Sequence, residues 1–213
     1  GIQDLIARHA KEAKQMAENE ENVDIKANLM EIAETNNWLI SNPPRNFREA
    51  CQWILWYQII ARTYNGSGAL GQLDMLLEPY YETGKRKDNL NDEEVKFDLA
   101  CLLLTDTPYI QVGGINSAGE DITNKLSYLI LEAAHEVGVP VNIGVATGAD
   151  IDKDLLKRGA EILIEDKNGV PKFLGMDNVI EGFVKNGYSK QLARRRTYNG
   201  CHWFSLPGRE YGL

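Results

Sequence analysis

Short β-branched segments alternate with amphipathic segments in the second half of the chain. Residues 108–112 and 140–146 are apolar runs bounded by glycine or proline, a pattern that predicts two β-strands. Apolar residues over 122–137 recur at helical spacing between them, and a second helix is predicted over 151–165 with Asp150 as its N-cap. Because this order requires parallel strands joined by helical crossovers, this half is predicted to have an α/β fold.

The first half of the chain is predicted to be helical. The apolar stripe that starts at Phe47 is typical of a buried helix face, and the segment 65–68 is expected to end this helix. Neither a repeat nor a linker is found, so one domain is predicted over 1–213, helical up to about residue 105. The other predicted elements are helices over 2–19, 24–41, 70–82, 91–104, 177–186 and 189–196, an edge element over 170–173 and a loop over 198–208.

The charge and the apolar pattern exclude two classes of partner. The formal net charge is −8, so a phosphate-binding face and a nucleic-acid partner are not expected. The one basic run, 194–196, is predicted to be a solvated helix end or an internal ion-pair partner. The longest apolar stretch, 53–61, is far shorter than the roughly 20 residues of a membrane span. We therefore expect a soluble cytoplasmic protein with no membrane partner.

Three widely spaced cysteines predict neither a disulfide framework nor a structural zinc site. Cys51 and Cys101 lie in helical patterns, where a free cysteine acts as a small hydrophobe. The three histidines do not have the spacing of metal ligands, so no metal site is predicted. The glycines over 66–71 match a dinucleotide-binding motif by letter, but a helix precedes them where that motif needs a strand, so nucleotide binding is not predicted.

The third cysteine, Cys201, lies in an unusual loop between Tyr198 and Phe204. Gly200 permits unusual dihedral angles and close backbone approach, and the surrounding aromatic residues are expected to exclude water. A dry, neutral thiol is poorly suited to thiolate chemistry but suited to hydrogen-atom transfer, in which no charge develops. Two alternatives stay open, namely a structural loop cysteine and a thiol hydrolase that uses Cys201 with His202.

Five short motifs follow one another along nearly the whole chain. Each motif alone is weak, and the order of all five is more specific. The motifs are Pro44-x-x-Phe47-x-Glu49-Ala50, Leu73-Asp74 with Pro79-Tyr80, Gly113-Gly114 with Gly119-x-Asp121-x-x-Asn124, Gly169-x-Pro171-x-Phe173 with Asp177, and Gly200-Cys201.

In this order the motifs resemble the pyruvate formate-lyase-like domain of glycyl radical enzymes. The resemblance implies a helix-rich part of a ten-stranded α/β barrel, with half-barrel strands and crossover helices over about 106–213. It implies that Cys201 carries a thiyl radical after losing a hydrogen atom to a glycine radical, which an iron–sulfur activase installs with S-adenosylmethionine. It also implies a lyase or acyltransferase-like enzyme that acts anaerobically on a small molecule, and a homodimer that binds no cofactor of its own.

The sequence departs from the family pattern near the cysteine. The glycine loop, Arg-Val-x-Gly-Tyr, is absent, so we expect this stretch alone to be inactive. Gly200 replaces the first of two adjacent cysteines that formate-lyase chemistry uses, and Trp203 replaces a glutamate that serves other members as a base. His202 is a candidate acid–base residue, and Trp203 and Phe204 are candidates for binding substrate. A non-catalytic scaffold or interaction domain that keeps the fold is the alternative function.

Overall fold

The computed structural model describes residues 1–64, 69–105, 109–201, 203–207 and 209–210. In these residues helices dominate the first half, and strands alternate with helices in the second half. The elements are α1 (Ile2–Asn19), α2 (Val23–Leu39), α3 (Phe47–Tyr64), β1 (Ala69–Gln72), α4 (Leu73–Lys87), α5 (Asp92–Thr105), β2 (Tyr109–Val112), α6 (Lys125–Val137), β3 (Ile143–Thr147), α7 (Lys153–Asp166), β4 (Lys172–Gly175), α8 (Met176–Lys185), α9 (Lys190–Arg194), β5 (Thr197–Tyr198) and β6 (Phe204–Ser205).

Four strands form one parallel sheet in the order β1-β2-β3-β4, which confirms the predicted α/β fold. The register pairs Ile110 with Ile143 and Gly144 with Lys172. Strands β5 and β6 form a separate antiparallel pair, in which Tyr198 lies opposite Phe204. The described residues therefore supply an open parallel sheet and a short hairpin rather than a closed barrel.

The sheet separates two apolar clusters because successive side chains of a strand point to opposite faces. On one face, Ile110 and Val112 of β2 pack with Ile143 and Val145 of β3 against the helical layer formed by α3 to α7. On the other face, Leu174 of β4 packs with residues of α8, α9 and the β5–β6 hairpin. The hairpin that carries Cys201 therefore lies on the face opposite the helical layer.

Helix α6 connects β2 to β3 and is capped at both ends. The side chain of Asn124 accepts hydrogen bonds from the backbone N–H groups of Leu126 and Ser127, at 2.9 and 3.3 Å. The helix ends at Gly138, whose φ of 67° lies in the left-handed region that favours glycine. These caps limit the crossover to Lys125–Val137, so that β3 begins a few residues later and pairs with β2.

The structure corrects three predicted elements. The helix predicted over 70–82 is in fact the short strand β1 followed by α4, and the loop predicted over 198–208 contains the β5–β6 hairpin. Helix α7 is capped by Asp152 rather than Asp150. The predicted helix stop at 65–68, the first residue of the strand predicted over 108–112 and His202 lie outside the described residues.

Candidate active site at the Cys201 hairpin

Cys201 lies at the turn of the β5–β6 hairpin. The backbone N–H of Asn199 donates to the carbonyl of Trp203 at 3.0 Å, which closes the turn around Gly200 and Cys201. The Asn199 side chain donates to Ser205 Oγ at 2.6 Å. Both contacts span the hairpin, so the turn that carries the cysteine is held at its base from two sides.

A side chain of the sheet holds the hairpin in place. The backbone N–H of Tyr198 donates to Gln111 Oε1 at 3.0 Å, and Gln111 is 1% exposed. The Gln111 amide in turn donates to the carbonyl of Gly113 at 3.2 Å. At Gly71 of β1, a Cβ atom would lie 3.0 Å from Thr197 Oγ1, so a glycine there permits the close approach of β5. The hairpin therefore packs directly on β1 and β2.

The sulfur of Cys201 contacts the sheet at the first residue of β2. The distance from Cys201 Sγ to Tyr109 Oη is 3.1 Å, short enough for a hydrogen bond in which either atom donates. This hydrogen bond is the largest cause of a raised pKa at Tyr109, with burial of the phenol as the second cause. Cys201 itself is exposed. The prediction that this chain shields the thiol from water is therefore wrong for the described residues.

The exposure of Cys201 follows from the position of its aromatic neighbour. A Cβ atom at Gly200 would lie 2.9 Å from Trp203 Cδ1, so the indole lies against the glycine. Trp203 is itself 59% exposed and does not bury the sulfur. Gly200 therefore permits the predicted close approach, here by the indole of Trp203. The φ angle of Gly200 is not positive, so the unusual dihedral angle that a glycine permits is not used.

Phe204 packs on Tyr198, with ring centroids 6.2 Å apart.

Two tyrosines and a lysine form a cluster beside the sulfur. The rings of Tyr109 and Tyr198 meet edge to face, with centroids 5.4 Å apart. The ammonium of Lys172, the first residue of β4, donates to Tyr198 Oη at 3.2 Å and lies 5.7 Å from the centroid of Tyr109. Tyr109 is therefore held by an aromatic neighbour and by a cation.

An ion pair anchors the chain on either side of the hairpin. Arg196 is buried and donates from Nη2 to Glu210 Oε1 at 2.5 Å, which confirms the prediction of an internal ion-pair partner in the basic run. Its guanidinium also stacks on Phe183, 4.0 Å from the ring centroid. Glu210 accepts a further hydrogen bond from the backbone N–H of Leu206 at 3.2 Å. The hairpin is thereby anchored before β5 and after β6.

The other cysteines and the histidine of α6 lie elsewhere. Cys51 is buried in the helical layer as predicted, whereas Cys101 is on α5 but exposed, so it is not a core residue. The imidazole of His135 contacts Asp166 Oδ1 at 2.7 Å, which joins α6 to α7. Within the described ranges, no group of three or more His, Cys, Asp or Glu side chains is arranged to hold a metal ion.

Sequence reasoning did not find Tyr109, Gln111 and Lys172. Their signal was present in the strand pattern, because Tyr109 and Gln111 alternate with the apolar Ile110 and Val112. Period-two alternation places one pair on the core face and the other pair on the opposite face. What the pattern does not contain is the partner, since Cys201 is 92 residues further along the chain.

The whole chain matches a known family. A model of the family described as pyruvate formate lyase-like matches residues 1–213, so the chain belongs to this family. The resemblance that the five motifs predicted is thereby confirmed.

Several curated proteins are similar to the chain over a part of their length. Isethionate sulfite-lyase of Oleidesulfovibrio alaskensis is 26% identical, over 95% of this chain and 27% of that protein. Trans-4-hydroxy-L-proline dehydratase of Clostridioides difficile is 27% identical, over 97% of this chain and 29% of that protein. The glycyl radical subunit of 4-hydroxyphenylacetate decarboxylase from Clostridioides difficile is 24% identical, over 94% and 25%. The chain therefore spans less than a third of these relatives.

Solved structures have the same fold over nearly the entire chain. The glycerol-bound B12-independent glycerol dehydratase from Clostridium butyricum superimposes with a TM-score of 0.89 at 28% identity, over 97% of this chain and 29% of that chain. A structure described for 1,2-propanediol dehydration in Roseburia inulinivorans gives a TM-score of 0.90 at 25% identity, over 97% of this chain and 29% of that chain. The predicted fold class, a helix-rich part of a glycyl radical enzyme barrel, is confirmed.

No helix among the described residues has both the length and the apolar character that crossing a membrane requires.

Proposed function

We propose that the full-length protein is a glycyl radical enzyme in which Cys201 becomes the thiyl radical. The reaction we assign is radical elimination, with cleavage of a C–C or C–heteroatom bond in a small organic substrate. The observation that carries this proposal is the position of the sulfur. A hairpin docked across β1 and β2 holds Cys201 at the first residue of β2, with Sγ 3.1 Å from Tyr109 Oη.

The chemistry assigned to Cys201 is transfer of a hydrogen atom. Its S–H bond breaks, and the hydrogen, one proton with one electron, forms a C–H bond at a backbone glycine radical elsewhere in the full-length protein. The sulfur, now a thiyl radical, takes a hydrogen atom from the substrate and later returns it to the product. Since no ion forms at sulfur, this transfer needs no cationic group beside Cys201.

The proposal also includes an activating partner, further site residues and an assembly. An activase with an iron–sulfur cluster and S-adenosylmethionine is proposed to install the glycine radical under anaerobic conditions. We propose that Trp203, exposed beside Gly200, contacts the substrate, whereas Phe204 supports the hairpin through Tyr198. His202 remains a candidate proton carrier. A cytoplasmic homodimer is the proposed assembly, and its mass in solution tests it.

The test compares two cysteine variants of the activated full-length protein. Cys201→Ser replaces the sulfur by an oxygen whose O–H bond resists hydrogen abstraction, so we expect turnover to fall below detection while the glycine doublet in electron paramagnetic resonance persists. Cys101→Ser is the matched control, because Cys101 is also an exposed free thiol but lies on α5. Isethionate, trans-4-hydroxy-L-proline, glycerol and 1,2-propanediol are the first substrates to assay.

Two results would contradict the proposal. An active Cys201→Ser enzyme would remove the thiyl role from this residue. Absence of a glycine doublet in the wild-type protein, after treatment with an activase that is competent on a known relative, would favour a non-catalytic scaffold. Retention of full activity in Cys101→Ser is expected, since nothing in the site depends on that thiol.

A further inference from the structure

We propose that Tyr109 is a positioning residue for Cys201, and that its hydroxyl holds the sulfur in the orientation from which a hydrogen atom is transferred. This inference rests on the proposed function, because it assigns a role within the same site. It concerns a residue of β2 that does not itself gain or lose a covalent bond.

Cys201 has little else to fix its side chain. It lies at the turn of a hairpin, it is exposed, and its contact with Tyr109 Oη at 3.1 Å is the hydrogen bond that the described residues give its sulfur. A cysteine side chain has three staggered positions about χ1, which place the sulfur at different points. Without a hydrogen-bond partner the side chain would populate several of these rotamers, whereas transfer of a hydrogen atom requires the sulfur in one specific position.

Tyr109 is itself held on several sides and provides a fixed point. Its ring meets Tyr198 edge to face at 5.4 Å, and the Lys172 ammonium lies 5.7 Å from its centroid. Tyr198 is in turn buried and fixed by Gln111, which accepts from its backbone N–H. The same residues that dock the hairpin therefore also hold the phenol. The distance between Tyr109 Oη and Cys201 Sγ is thus set by the packing of the hairpin on the sheet.

The contact is able to persist through the reaction. While the thiol carries its hydrogen, either Cys201 or Tyr109 can donate. After the thiol has lost its hydrogen atom, the hydrogen of the Tyr109 hydroxyl is the one left between Oη and Sγ. Tyr109 then donates to the sulfur. A phenol with an ordinary pKa of about 10 keeps its proton at neutral pH, and the hydrogen bond to Cys201 raises the pKa of Tyr109 further.

The test measures hydrogen exchange between Cys201 and the glycine radical, and it needs no substrate. A thiol exchanges its hydrogen with solvent, so in D2O the sulfur passes deuterium to the glycine whenever the radical moves between the two residues. Deuterium at the glycine Cα collapses the doublet into a single line. The half-time of this collapse in the activated full-length protein therefore reports how often Cys201 reaches the transfer position.

Tyr109→Phe removes the hydroxyl and retains the ring. We expect the doublet to collapse roughly tenfold more slowly in this variant, since misplacing a reacting group by about 1 Å can cost up to a hundredfold in rate. Tyr128→Phe is the matched control, because it also removes a phenol hydroxyl. That hydroxyl lies in the helical layer and donates to Asp152 Oδ2 at 2.6 Å. The half-time of this control should equal that of the wild type. Tyr109→Leu, a second variant without the hydroxyl, should also exchange slowly.

The possible outcomes separate the two proposals. A doublet that never collapses in wild-type protein, or that still collapses in Cys201→Ser, contradicts the role of Cys201 itself. A doublet that collapses at the wild-type rate in Tyr109→Phe overturns the positioning role and leaves Cys201 intact. Because the half-time does not depend on how much radical forms, partial loss of folding cannot imitate slow exchange. Failure of both Tyr109 variants to acquire any radical would also overturn the proposal.

Discussion

At the scale of single residues, Asp74 joins three parts of the α/β region. Its side chain is fully buried in the first turn of α4, and Oδ2 accepts from the backbone N–H of Gly113 and from Ser127 Oγ, both at 2.6 Å. Burial raises the pKa of Asp74 to about 6, although these hydrogen bonds act in the opposite direction. Asp74 thus connects α4 to the end of β2 and to the start of α6.

Asp74→Asn tests whether this buried carboxyl makes stability depend on pH. Asp74 binds its proton more tightly when folded, at a pKa of about 6, than when unfolded, at about 3.8. Its contribution to stability is therefore complete below pH 4 and is lost as pH rises through 6, by about 3 kcal/mol. Asparagine does not titrate, and its oxygen can still accept from Gly113 and Ser127, whereas its NH2 group replaces the oxygen that accepts from the backbone N–H of Met75.

The measurement is the melting temperature of wild-type and variant full-length protein at pH 4.5 and pH 7.5. We expect the melting temperature of the variant, relative to that of the wild type, to rise by about 1 °C as the pH rises, because so long a chain has a large entropy of unfolding. Ser127→Ala is a useful companion, because it removes one partner and leaves the carboxyl in place. Parallel pH profiles for the wild type and Asp74→Asn would show that Asp74 is ionised throughout.

At the scale of elements, the position of the β5–β6 hairpin depends on one side chain of β2. A two-residue strand pair has too few contacts of its own to be stable without docking. Gln111 provides the docking contact by accepting from the backbone N–H of Tyr198 at 3.0 Å. Since Gln111 is buried, the position of Cys201 follows from packing inside the molecule.

Gln111→Leu should loosen the hairpin while leaving the sheet intact. Leucine fills a similar volume but leaves the Tyr198 N–H without its partner, a loss that costs about 1–3 kcal/mol for a buried donor. We expect faster hydrogen–deuterium exchange of the Tyr198 amide, with unchanged exchange in α6. Gln72→Leu is the matched control, because Gln72 donates to the carbonyl of Gly113 and not to the hairpin. Equal protection of Tyr198 in both variants would assign docking to other contacts.

At the scale of the whole molecule, the parallel sheet has two edges. Strands β1 and β4 lie at the ends of the strand order, and within the described part of the chain neither has a second neighbour. An unpaired edge presents N–H and C=O groups that pair readily with another strand. The relatives are more than three times as long as the matched stretch, so in those proteins residues outside it are available to cover the corresponding edges.

Residues 1–213 produced alone are therefore expected to associate through the sheet edges. Light scattering should give a mass above the 23.9 kDa of one chain. Phe173→Lys places a charge on β4 and should lower the mass, because it blocks association at one of the two edges. Phe97→Lys adds the same charge at an exposed phenylalanine of α5 and should leave association unchanged. A single-chain mass for the wild-type stretch would show that its edges are protected without further residues.

Local patterns predicted most helices, and they missed elements that depend on distant partners. Helices α1, α3 and α5 follow from apolar spacing and capping residues within a few positions of each other. Strand β1 was missed because its four residues include Gly71 and Gln72 and become a strand only by pairing with β2, some forty residues away. The β5–β6 hairpin was missed for a similar reason, since its two short strands owe their order to the sheet beneath.

The sequence by itself determined the α/β class and the family, and it singled out Cys201 as the candidate reactive residue, because these inferences depend on residue types and on their order along the chain. The tertiary structure alone decided which residues meet that sulfur and how far water reaches it. Tyr109 becomes its partner, and Lys172 packs beside Tyr109, only when β2, β3 and β4 pair in one sheet and the hairpin folds back onto it. Residues so far apart in the sequence come into contact through tertiary packing, and the local pattern of residues along the chain does not indicate which of them will meet.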